Sequence, residues 1–250
     1  MLSSRILKGG ALLTDSRILV EQWDLAADSV TNLARLVDQN LLAKRSATRA
    51  HDVVNGVLRQ RLVDPGTHVI AALKELVRHP RAFTEACYFE ATRADALLGA
   101  FAEGPLWFWF NEGRIGVSLA ETENWLAKLT SEGVLPDWTD QVRTRAAQGL
   151  LATTRDFGIL KGAVRKEFAS PSLSPSGFAY VAFRLHEQGV VARGLAVSPV
   201  WRRWLLRPDE VEHLFAEIAH LGVLRRSQAG SVVRFDWELP SLVEVAHAVA

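Results

Sequence analysis

The stretch Asn40-Leu-Leu-Ala-Lys-Arg-Ser-Ala-Thr-Arg49 places three cations, Lys44, Arg45 and Arg49, around the start of an amphipathic helix. Ser46 is the predicted N-cap, because a serine hydroxyl readily accepts a hydrogen bond from an amide of the first turn. The apolar residues behind it follow the spacing of one helix face: Ala50, Val53, Val54, Val57 and Leu58. The sequence therefore predicts a helix that begins with cations and buries one side.

A second helical pattern precedes this stretch, and its apolar stripe consists of Val30, Leu33, Leu36 and Val37. Two short helices, the second beginning with cations, are typical of a helix-turn-helix that presents a helix N-terminus to a DNA groove. The alternative is an ordinary helical hairpin with a solvated basic face, and spacing alone does not separate the two. Further upstream, Thr14-Asp15-Ser16 is predicted to cap a helix over Ile18, Leu19 and Trp23.

The same pattern recurs between residues 118 and 157. Ser118 is a predicted N-cap for a helix that ends at Glu132-Gly133. A longer helix is predicted to begin at Asp137 and to end at Phe157-Gly158, with a short strand after it. Its outer face is predicted to carry Arg145, Gln148 and Arg155. Further helices are expected between residues 67 and 110.

The segment Ser170-Pro-Ser-Leu-Ser-Pro-Ser-Gly177 is the predicted linker, because prolines and serines dominate it. A helix is expected from Tyr180 to Gln188. Another is expected to begin at Pro208, where proline suits the first turn, and to end before Gly222, a natural C′ residue.

Two short apolar segments after Gly222, residues 223–226 and 232–237, flank the predicted five-residue loop 227–231. Such a spacing is typical of a β-hairpin. Helices followed by a basic hairpin describe a winged helix, whose wing would carry Arg225, Arg226 and Arg234.

The bulk composition is that of an ordinary globular protein, with 250 residues, 48% hydrophobic residues and a net charge of +1. The charge is unevenly distributed along the chain. Residues 85–140 carry a net charge of −7, residues 141–166 carry +5, and residues 193–207 hold four arginines and no acid. This asymmetry fits a local site for a polyanion, and it equally fits charge balance between neighbouring modules.

Cys87 is the single cysteine, so the sequence excludes an internal disulfide and a cysteine-rich metal site. It is expected to be a buried structural residue in a reducing cytosol. The N-terminus lacks the pattern of a signal peptide, and no apolar run is long enough for a transmembrane helix. These observations predict a cytoplasmic protein.

Two aromatic segments have more than one interpretation. Leu106-Trp-Phe-Trp-Phe110 lies in the acidic region, which favours a core or a partner interface over stacking on bases. In Trp201-Arg-Arg-Trp-Leu-Leu-Arg207, the two tryptophans and Leu205 would share one helix face. This segment is interpreted either as a core anchor or as a phosphate clamp that uses Arg202 and Arg203.

The sequence contains no pattern typical of catalysis. Its seven histidines are scattered, and phosphate-binding glycine loops and a GxSxG nucleophile elbow are absent from it. We therefore expect no enzyme activity, cofactor, metal site or small-molecule substrate.

Two segments together resemble a known family. Gly9-Gly-Ala-Leu-Leu-Thr-Asp-Ser-Arg17 resembles the opening motif of the BrxA family, small proteins encoded in BREX bacteriophage-defence loci. Asn40-Leu-Leu-Ala-Lys-Arg-Ser46 is similar to the N-L-L-x-K-R-S stretch of that family, in the same order and at the same separation. The likeness is strongest over residues 1–60 and looser to residue 160, and the part after Pro171 is an extension beyond the shorter members.

The resemblance implies an all-helical fold with helix-turn-helix-like and winged-helix-like elements. It also implies a role in phage defence, with binding of double-stranded DNA without clear sequence preference and no catalysis. Methylation and nucleotide hydrolysis would reside in separate proteins. The basic residues that match the motif are Lys44 and Arg45, with Arg49 just beyond it.

Together, the residues and the resemblance predict a mainly α-helical protein with three modules and a small C-terminal β-hairpin. The modules are a helix-turn-helix-like domain (1–66), a middle helical domain with a second such unit (67–170) and a winged-helix-like domain (171–250). The predicted partners are duplex DNA and other defence proteins, with no membrane contact. The predicted nucleic-acid-binding residues are Lys44, Arg45, Ser46, Arg49, Arg143, Arg145, Arg155, Arg202, Arg203, Arg225, Arg226 and Arg234.

Two other functions fit the same sequence. In the first, the protein is an adaptor whose helical units are packing modules and whose tryptophan-rich acidic middle binds other defence proteins. In the second, the same helical faces bind RNA.

Overall fold

The computed structural model describes residue 6 and residues 9–191, 193–229 and 232–250. This part of the chain is mainly helical, which confirms the predicted fold class. Its α-helices are α1 (Leu13–Gln22), α2 (Ser29–Asp38), α3 (Ala47–Val53), α4 (Thr67–Leu76), α5 (Pro80–Ala94), α6 (Ala96–Phe101), α7 (Trp107–Asn111), α8 (Leu119–Ser131), α9 (Asp140–Asp156), α10 (Pro175–Glu187), α11 (Arg193–Ala196), α12 (Pro208–His220) and α13 (Leu242–Val249).

Short strands form two small antiparallel sheets. The first has the strand order β1-β3-β2 and consists of β1 (Gly116–Val117), β2 (Leu160–Lys161) and β3 (Lys166–Phe168). The second is the hairpin of β4 (Leu224–Ala229) and β5 (Val232–Trp237).

The described residues form two compact units, and each unit draws on three separate parts of the chain. Unit 1 contains the described residues up to Leu12, Glu90–Ser172 and Val200–Leu205. Unit 2 contains Leu13–Phe89, Leu173–Pro199 and Leu206–Ala250. This division differs from the three consecutive predicted modules. The predicted boundary after residue 170 lies near the change of unit at Ser172, whereas the one after residue 66 lies inside unit 2.

The helix that follows the Asn40–Arg49 stretch forms as the sequence predicts. The Ser46 side chain caps α3 by accepting a hydrogen bond from the Arg49 amide at 3.2 Å. The predicted apolar face is buried in full, at Ala50, Val53, Val54, Val57 and Leu58. From Val54 to Val63 the helix continues with π-helical hydrogen bonding, which the sequence pattern did not indicate.

The segment between α2 and α3 is longer than the three- or four-residue turn of a standard helix-turn-helix, since it runs from residue 39 to residue 46. Asn40 adopts a left-handed backbone conformation (φ 45°) within it. Its amide group binds the Lys44 backbone twice, accepting from the Lys44 nitrogen at 2.8 Å and donating to the Lys44 carbonyl at 2.9 Å. The Asn40 side chain therefore holds this segment together with backbone hydrogen bonds within it.

The predicted cap of the first helix is wrong in detail. Thr14, Asp15 and Ser16 lie inside α1, which begins at Leu13, and Asp15 and Ser16 are buried. The Asp15 carboxylate accepts a hydrogen bond from the Lys44 ammonium instead of capping the helix. A contact with a residue 29 positions away in sequence therefore overrides the local capping signal.

The predicted linker 170–177 is wrong in its second half, which starts helix α10, whereas its first half contains the change of unit at Ser172. Ser174 is the N-cap, Pro175 occupies the first turn, and the Gly177 amide donates to the Ser174 hydroxyl at 3.0 Å. Glu85 on α5 accepts hydrogen bonds from both the amide and the hydroxyl of Ser174. Serine and proline here are capping residues, and the helix begins five residues before the expected Tyr180.

The C-terminal hairpin packs on its helices through aromatic rings. Phe235 stacks on Phe215 of α12 with 4.3 Å between ring centroids, and Phe215 meets Phe178 of α10 edge-on at 4.8 Å. Trp237 meets Phe183 of α10 in the same way. These contacts explain why the apolar residues on one face of α12 are buried.

The first strand of the hairpin is longer than the sequence predicted, whereas the second has the predicted bounds. Strand β4 extends through Ala229, which pairs with Val232, so the expected five-residue loop 227–231 is too long. Residues 230 and 231 of that loop lie outside the described residues. Helix α12 ends as predicted, with Leu221 as an exposed C-cap and Gly222 in the left-handed conformation (φ 73°).

The Trp201–Arg207 segment forms a short 3₁₀-helix (Pro199–Trp204) and not an α-helix. Trp201, Trp204 and Leu205 are all buried. Arg203 binds Glu103 at 2.6 Å and the Thr92 hydroxyl at 2.7 Å, all within unit 1. The segment therefore anchors the core, which is the first of the two interpretations given above. Cys87 is buried as expected.

Candidate nucleic-acid interface

In unit 1, a helix pair and a small sheet build one continuous surface. Ser118 and Glu121 form a capping box that fixes the start of α8. Thr139 caps α9, which begins at Asp140, three residues later than the predicted start at Asp137. Strand β1 precedes the helix pair, and β2 and β3 follow it as a hairpin. We call residues 161–166 the unit 1 wing. They run from the end of β2 through the connecting turn to the first residue of β3.

The unit 1 wing is held in shape by Gly162 and Lys166. Gly162 has a φ of 89°, and a Cβ at this position would overlap the Arg165 carbonyl oxygen. The Lys166 side chain is turned inward, with the residue only 8% exposed, and its ammonium donates hydrogen bonds to the carbonyls of Gly162 and Ala163. The wing is therefore preorganised, and Lys166 supports its fold.

Helix α9 presents its outer face beside the wing. Residues 145, 148, 152 and 155 follow a spacing of three and four, so they form one stripe along the helix. A cleft of about 230 Å³ is lined by Gln148 and Ala152 of this stripe together with Ala163 and Val164 of the wing. The helix stripe and the wing thus share one surface.

The exposed groups on this surface are mostly basic or apolar. Arg145 is exposed and forms no ion pair among the residues that the structure describes. Lys161 and Arg165 are exposed on the wing, and Arg165 lies 3.9 Å from Glu167, a loose ion pair. Between them Val164 is 99% exposed. This arrangement can meet a surface that combines negative charge with apolar groups.

Most of the predicted cationic site residues are paired with carboxylates. The ion pairs are Lys44 with Asp15, Arg143 with Asp140, Arg155 with Asp156, Arg203 with Glu103, Arg225 with Glu238, Arg226 with Glu212 and Arg234 with Asp236. Two of these pairs, those of Lys44 and Arg203, are largely withdrawn from solvent. The exposed pairs are weak, so a phosphate can compete with the carboxylate for the arginine.

The N-terminal motif is used mainly inside the fold. Lys44 is tied to the buried Asp15 at 2.6 Å, and the Ser46 hydroxyl is occupied as the N-cap of α3. Arg45 and Arg49 are exposed at the helix start, and Arg45 forms no ion pair with the described part of the chain. Of this predicted patch, Arg45 therefore offers a cation to solvent.

The C-terminal hairpin is less cationic than its sequence suggests. Each of its three predicted arginines has an acidic partner within 2.9 Å, on the hairpin itself or on α12. Its local charge is therefore nearly balanced. Arg202, in unit 1, remains exposed on the 3₁₀-helix.

The sequence-based prediction missed Lys161, Val164 and Arg165. It identified a strand near residue 160 but no hairpin, because β2 and β3 have only two and three residues. The signal that could have found them is the excess of bases between residues 141 and 166, six against one acid, on both sides of Gly162.

Two further features concern metal binding and the crossing of a membrane. Among these residues, no group of three or more His, Cys, Asp or Glu side chains is placed to hold a metal ion. No helix that the structure describes has the length and apolar character to cross a membrane.

Known proteins resemble this chain in sequence and in fold. The model of the BrxA family matches residues 2–184. The crystal structure of an uncharacterized protein from Magnetospirillum magneticum is similar, with a TM-score of 0.63 and 18% sequence identity. The similarity covers 81% of this chain and 97% of that chain, and at this identity it concerns the fold alone. No curated protein matches the chain.

Proposed function

Because the chain belongs to the BrxA family, and so to the components of BREX phage defence, we propose that it is a non-enzymatic accessory protein that binds duplex DNA. Binding is largely to phosphates and has little sequence preference. A protein in this role acts in the cytoplasm, beside the other proteins of the defence system.

The observation that carries the proposal is the element order of unit 1. A helix pair lies between β1 and the β2–β3 hairpin, in a sheet of order β1-β3-β2. This order resembles that of a winged helix-turn-helix, and in the proposal α9 takes the position of the recognition helix. An α-helix with its side chains is about 10–12 Å wide, and the major groove of B-DNA is about 12 Å wide.

The charges on this surface support contacts with phosphates. Arg145 on α9 and Lys161 on the wing point into solvent, and Arg155 is held only by its exposed neighbour Asp156. Arginine and lysine neutralise phosphates without reading bases, which gives affinity without sequence preference. The predicted contacts of Arg202 in unit 1, and of Arg45 and Arg49 in unit 2, remain part of the proposal.

A titration of a fluorescent 25-base-pair duplex at several salt concentrations tests the proposal. The log–log salt slope should be about −0.9 for each phosphate neutralised. The double variant Arg145→Ala/Lys161→Ala should weaken binding similarly on unrelated sequences and reduce the slope by about two units.

The matched control is Arg225→Ala/Arg234→Ala, which removes the same charge from the hairpin of unit 2, whereas Arg145 and Lys161 lie on the proposed surface of unit 1. It should keep most of the affinity. Absence of binding at 50 mM salt, or a slope unchanged in Arg145→Ala/Lys161→Ala, would contradict the proposal.

One observation favours the adaptor as a second function. Phe108 of the acidic aromatic segment is 56% exposed, although its neighbours Trp109 and Phe110 pack on Phe101 and Phe168. A large exposed aromatic side chain is typical of a protein interface. Association with purified defence proteins that survives nuclease treatment and is lost in Phe108→Ser would support it.

A further inference from the structure

A groove runs along unit 2 between α2 and the helix that begins as α3. Its volume is about 270 Å³, and the residues that line it lie between Val30 and Arg59. None of these lining residues is among those predicted to bind nucleic acid. We call it the α2–α3 groove. The proposed phosphate contacts leave it without a role.

The wall that α2 contributes to the groove is apolar. Val30, Ala34 and Val37 follow a spacing of four and three, so they lie on one helix face, and the buried Leu33 lines the groove beside them. Val30 is 78% exposed, and Ala34 is exposed as well. At a rise of about 1.5 Å per residue, this apolar stripe is about 10 Å long.

The opposite wall of the groove is polar. It carries His51, Asn55 and Arg59, which recur every four residues along one side of the helix. Asn55 and Arg59 lie in the π-helical segment Val54–Val63. Turns with π-helical hydrogen bonding are rare inside α-helices and are frequent at functional sites. The backbone of this wall therefore indicates a binding role independently of the apolar stripe.

The charge of the polar wall indicates the chemistry of what the groove binds. Between residues 45 and 59 this helix carries three arginines and one acid, Asp52. Arg59 pairs with Asp64 at 3.1 Å, and both side chains are about half exposed. Such an exposed pair is weak, so the carboxylate of a bound partner can share the guanidinium. An apolar stripe beside a basic wall complements a surface that is apolar in the middle and acidic along one edge.

An amphipathic helix has such a surface, and a groove with an apolar wall is a common binding site for one. The stripe on α2 has the length of two turns of a bound helix, with apolar anchors at positions i, i+3 or i+4, and i+7. A nucleic-acid backbone fits less well. It has no apolar face to cover Val30, and the exposed Asp38 of the same wall would repel its phosphates.

We propose that the α2–α3 groove binds an amphipathic helix of a partner protein. The apolar face of that helix packs on Val30, Ala34 and Val37, and its acidic edge lies beside Arg59. The inference adds a protein-binding site in unit 2 to the duplex surface proposed for unit 1. It does not depend on DNA binding, and it uses other residues than the exposed Phe108 of unit 1.

A fluorescein-labelled peptide in a titration without nucleic acid is the direct test. The peptide has about 18 residues, enough to form a helix, with leucines on one face and glutamates along one edge of that face. Fluorescence anisotropy should show saturable binding to the full-length protein. Ala34→Gln places a larger polar side chain in the groove and should lower the affinity by about tenfold.

Val197→Gln is the matched control, because Val197 is 66% exposed in unit 2 and does not line the groove. It should bind the peptide as the wild type does. Both variants should keep the wild-type melting temperature, since Ala34 and Val197 are exposed.

The acidic edge has a test of its own. A peptide with glutamine in place of each glutamate should bind about threefold more weakly, as expected for exposed ion pairs. In Arg59→Gln the two peptides should bind almost equally, and high salt should have the same effect on the wild type.

Each contrary result overturns a defined part of the inference. Absence of binding of the glutamate peptide at about 200 µM, or equal affinities for wild type and Ala34→Gln, would overturn the site. Equal affinities of both peptides for the wild type would overturn the acidic edge. A dimer in sedimentation that Ala34→Gln abolishes would make the occupant a second copy of this chain.

Duplex binding is measured separately on the same variants. Ala34→Gln should keep the wild-type affinity for the 25-base-pair duplex, and a loss there would assign the groove to nucleic acid instead of a partner helix. If the wild type binds the peptide but no duplex, the proposed function is wrong and the α2–α3 groove stands.

Discussion

At the scale of single residues, the Asn40–Ser46 motif is explained by contacts inside the fold. Asn40 fixes the Lys44 backbone, and the Lys44 side chain binds Asp15, which belongs to the other family-like segment. The two segments that resemble the BrxA family are therefore joined by one ion pair. Among the motif's cations, Arg45 is the one that projects into solvent.

Removal of the Lys44 ammonium should lower stability more than DNA affinity. Asp15 is only 6% exposed, so Lys44→Ala leaves a buried carboxylate without its ion-pair partner. We expect a loss of about 2 kcal/mol in the free energy of unfolding, which corresponds to a fall of about 4–8 °C in the melting temperature.

Arg45→Ala is the matched control, because it removes an adjacent exposed cation. Its free energy of unfolding should change by less than about 0.5 kcal/mol. A melting temperature for Lys44→Ala equal to that of Arg45→Ala would show that the pair with Asp15 does not stabilise the fold.

Glu85 gives the folded protein a pH-dependent contribution. Burial raises the pKa of the Glu85 carboxyl above its ordinary value of 4.5, although hydrogen bonds from Ser174 and Arg81 act in the opposite direction. The folded state therefore binds this proton more tightly than the unfolded chain does. The resulting stability is fully present below pH 4.5 and is lost as the pH rises through the raised pKa.

Glu85→Gln should remove this contribution. In urea unfolding between pH 4 and pH 7, the wild-type free energy of unfolding should fall with rising pH relative to that of the variant. Parallel pH profiles for the two proteins would refute the assignment of this titration to Glu85.

At the scale of elements, capping signals predicted helix starts well where the capping residue acts locally. Ser46 and Ser118 both cap the helices expected of them. The Ser174 cap was mistaken for a linker, because serine and proline occur in loops and in first helical turns alike. Its partner Glu85 lies 89 positions away, beyond any local pattern.

The π-helical segment Val54–Val63 contains a glycine that the packing does not need. A Cβ at Gly56 would meet nothing within 4 Å, whereas at Gly99 in α6 it would lie 2.7 Å from the Thr92 carbonyl oxygen. Gly56→Ala should stabilise the protein by about 0.5–1 kcal/mol, because alanine loses less conformational entropy in a helix.

Gly99→Ala is the opposing control, and it should lower the melting temperature, because the Thr92 backbone must shift. Thermal unfolding of both variants checks the pair. If Gly56→Ala is destabilising, the π-helical hydrogen bonding of this segment depends on the glycine.

At the scale of the whole molecule, the fold is built from chain segments that are far apart in sequence. In unit 2, α4 packs on α13, and α10 packs on both α12 and α13. Helix α4 (Thr67–Leu76) and helix α13 (Leu242–Val249), which lie far apart in sequence, therefore share a core within that unit. A three-module division along the chain does not describe this arrangement.

A chain truncated after Ser172 tests this interleaving. It keeps Leu13–Phe89 but loses the other two segments of unit 2, so α4 and α5 would expose the apolar surfaces that α13 and α10 cover. We expect loss of cooperative thermal unfolding, measured by circular dichroism, relative to the full chain. A truncated chain that melts cooperatively at the wild-type temperature would contradict the unit assignment.

The sequence by itself determined the helical class, the family and the buried face after Ser46, because helix periodicity and capping depend on residues within one or two turns. Tertiary structure decided which cations remain available to a ligand. Lys44, Arg203 and the hairpin arginines are paired with carboxylates, several of them distant in sequence. Ion pairing and the placement of the unit 1 wing depend on distances in space, which one-dimensional patterns do not contain.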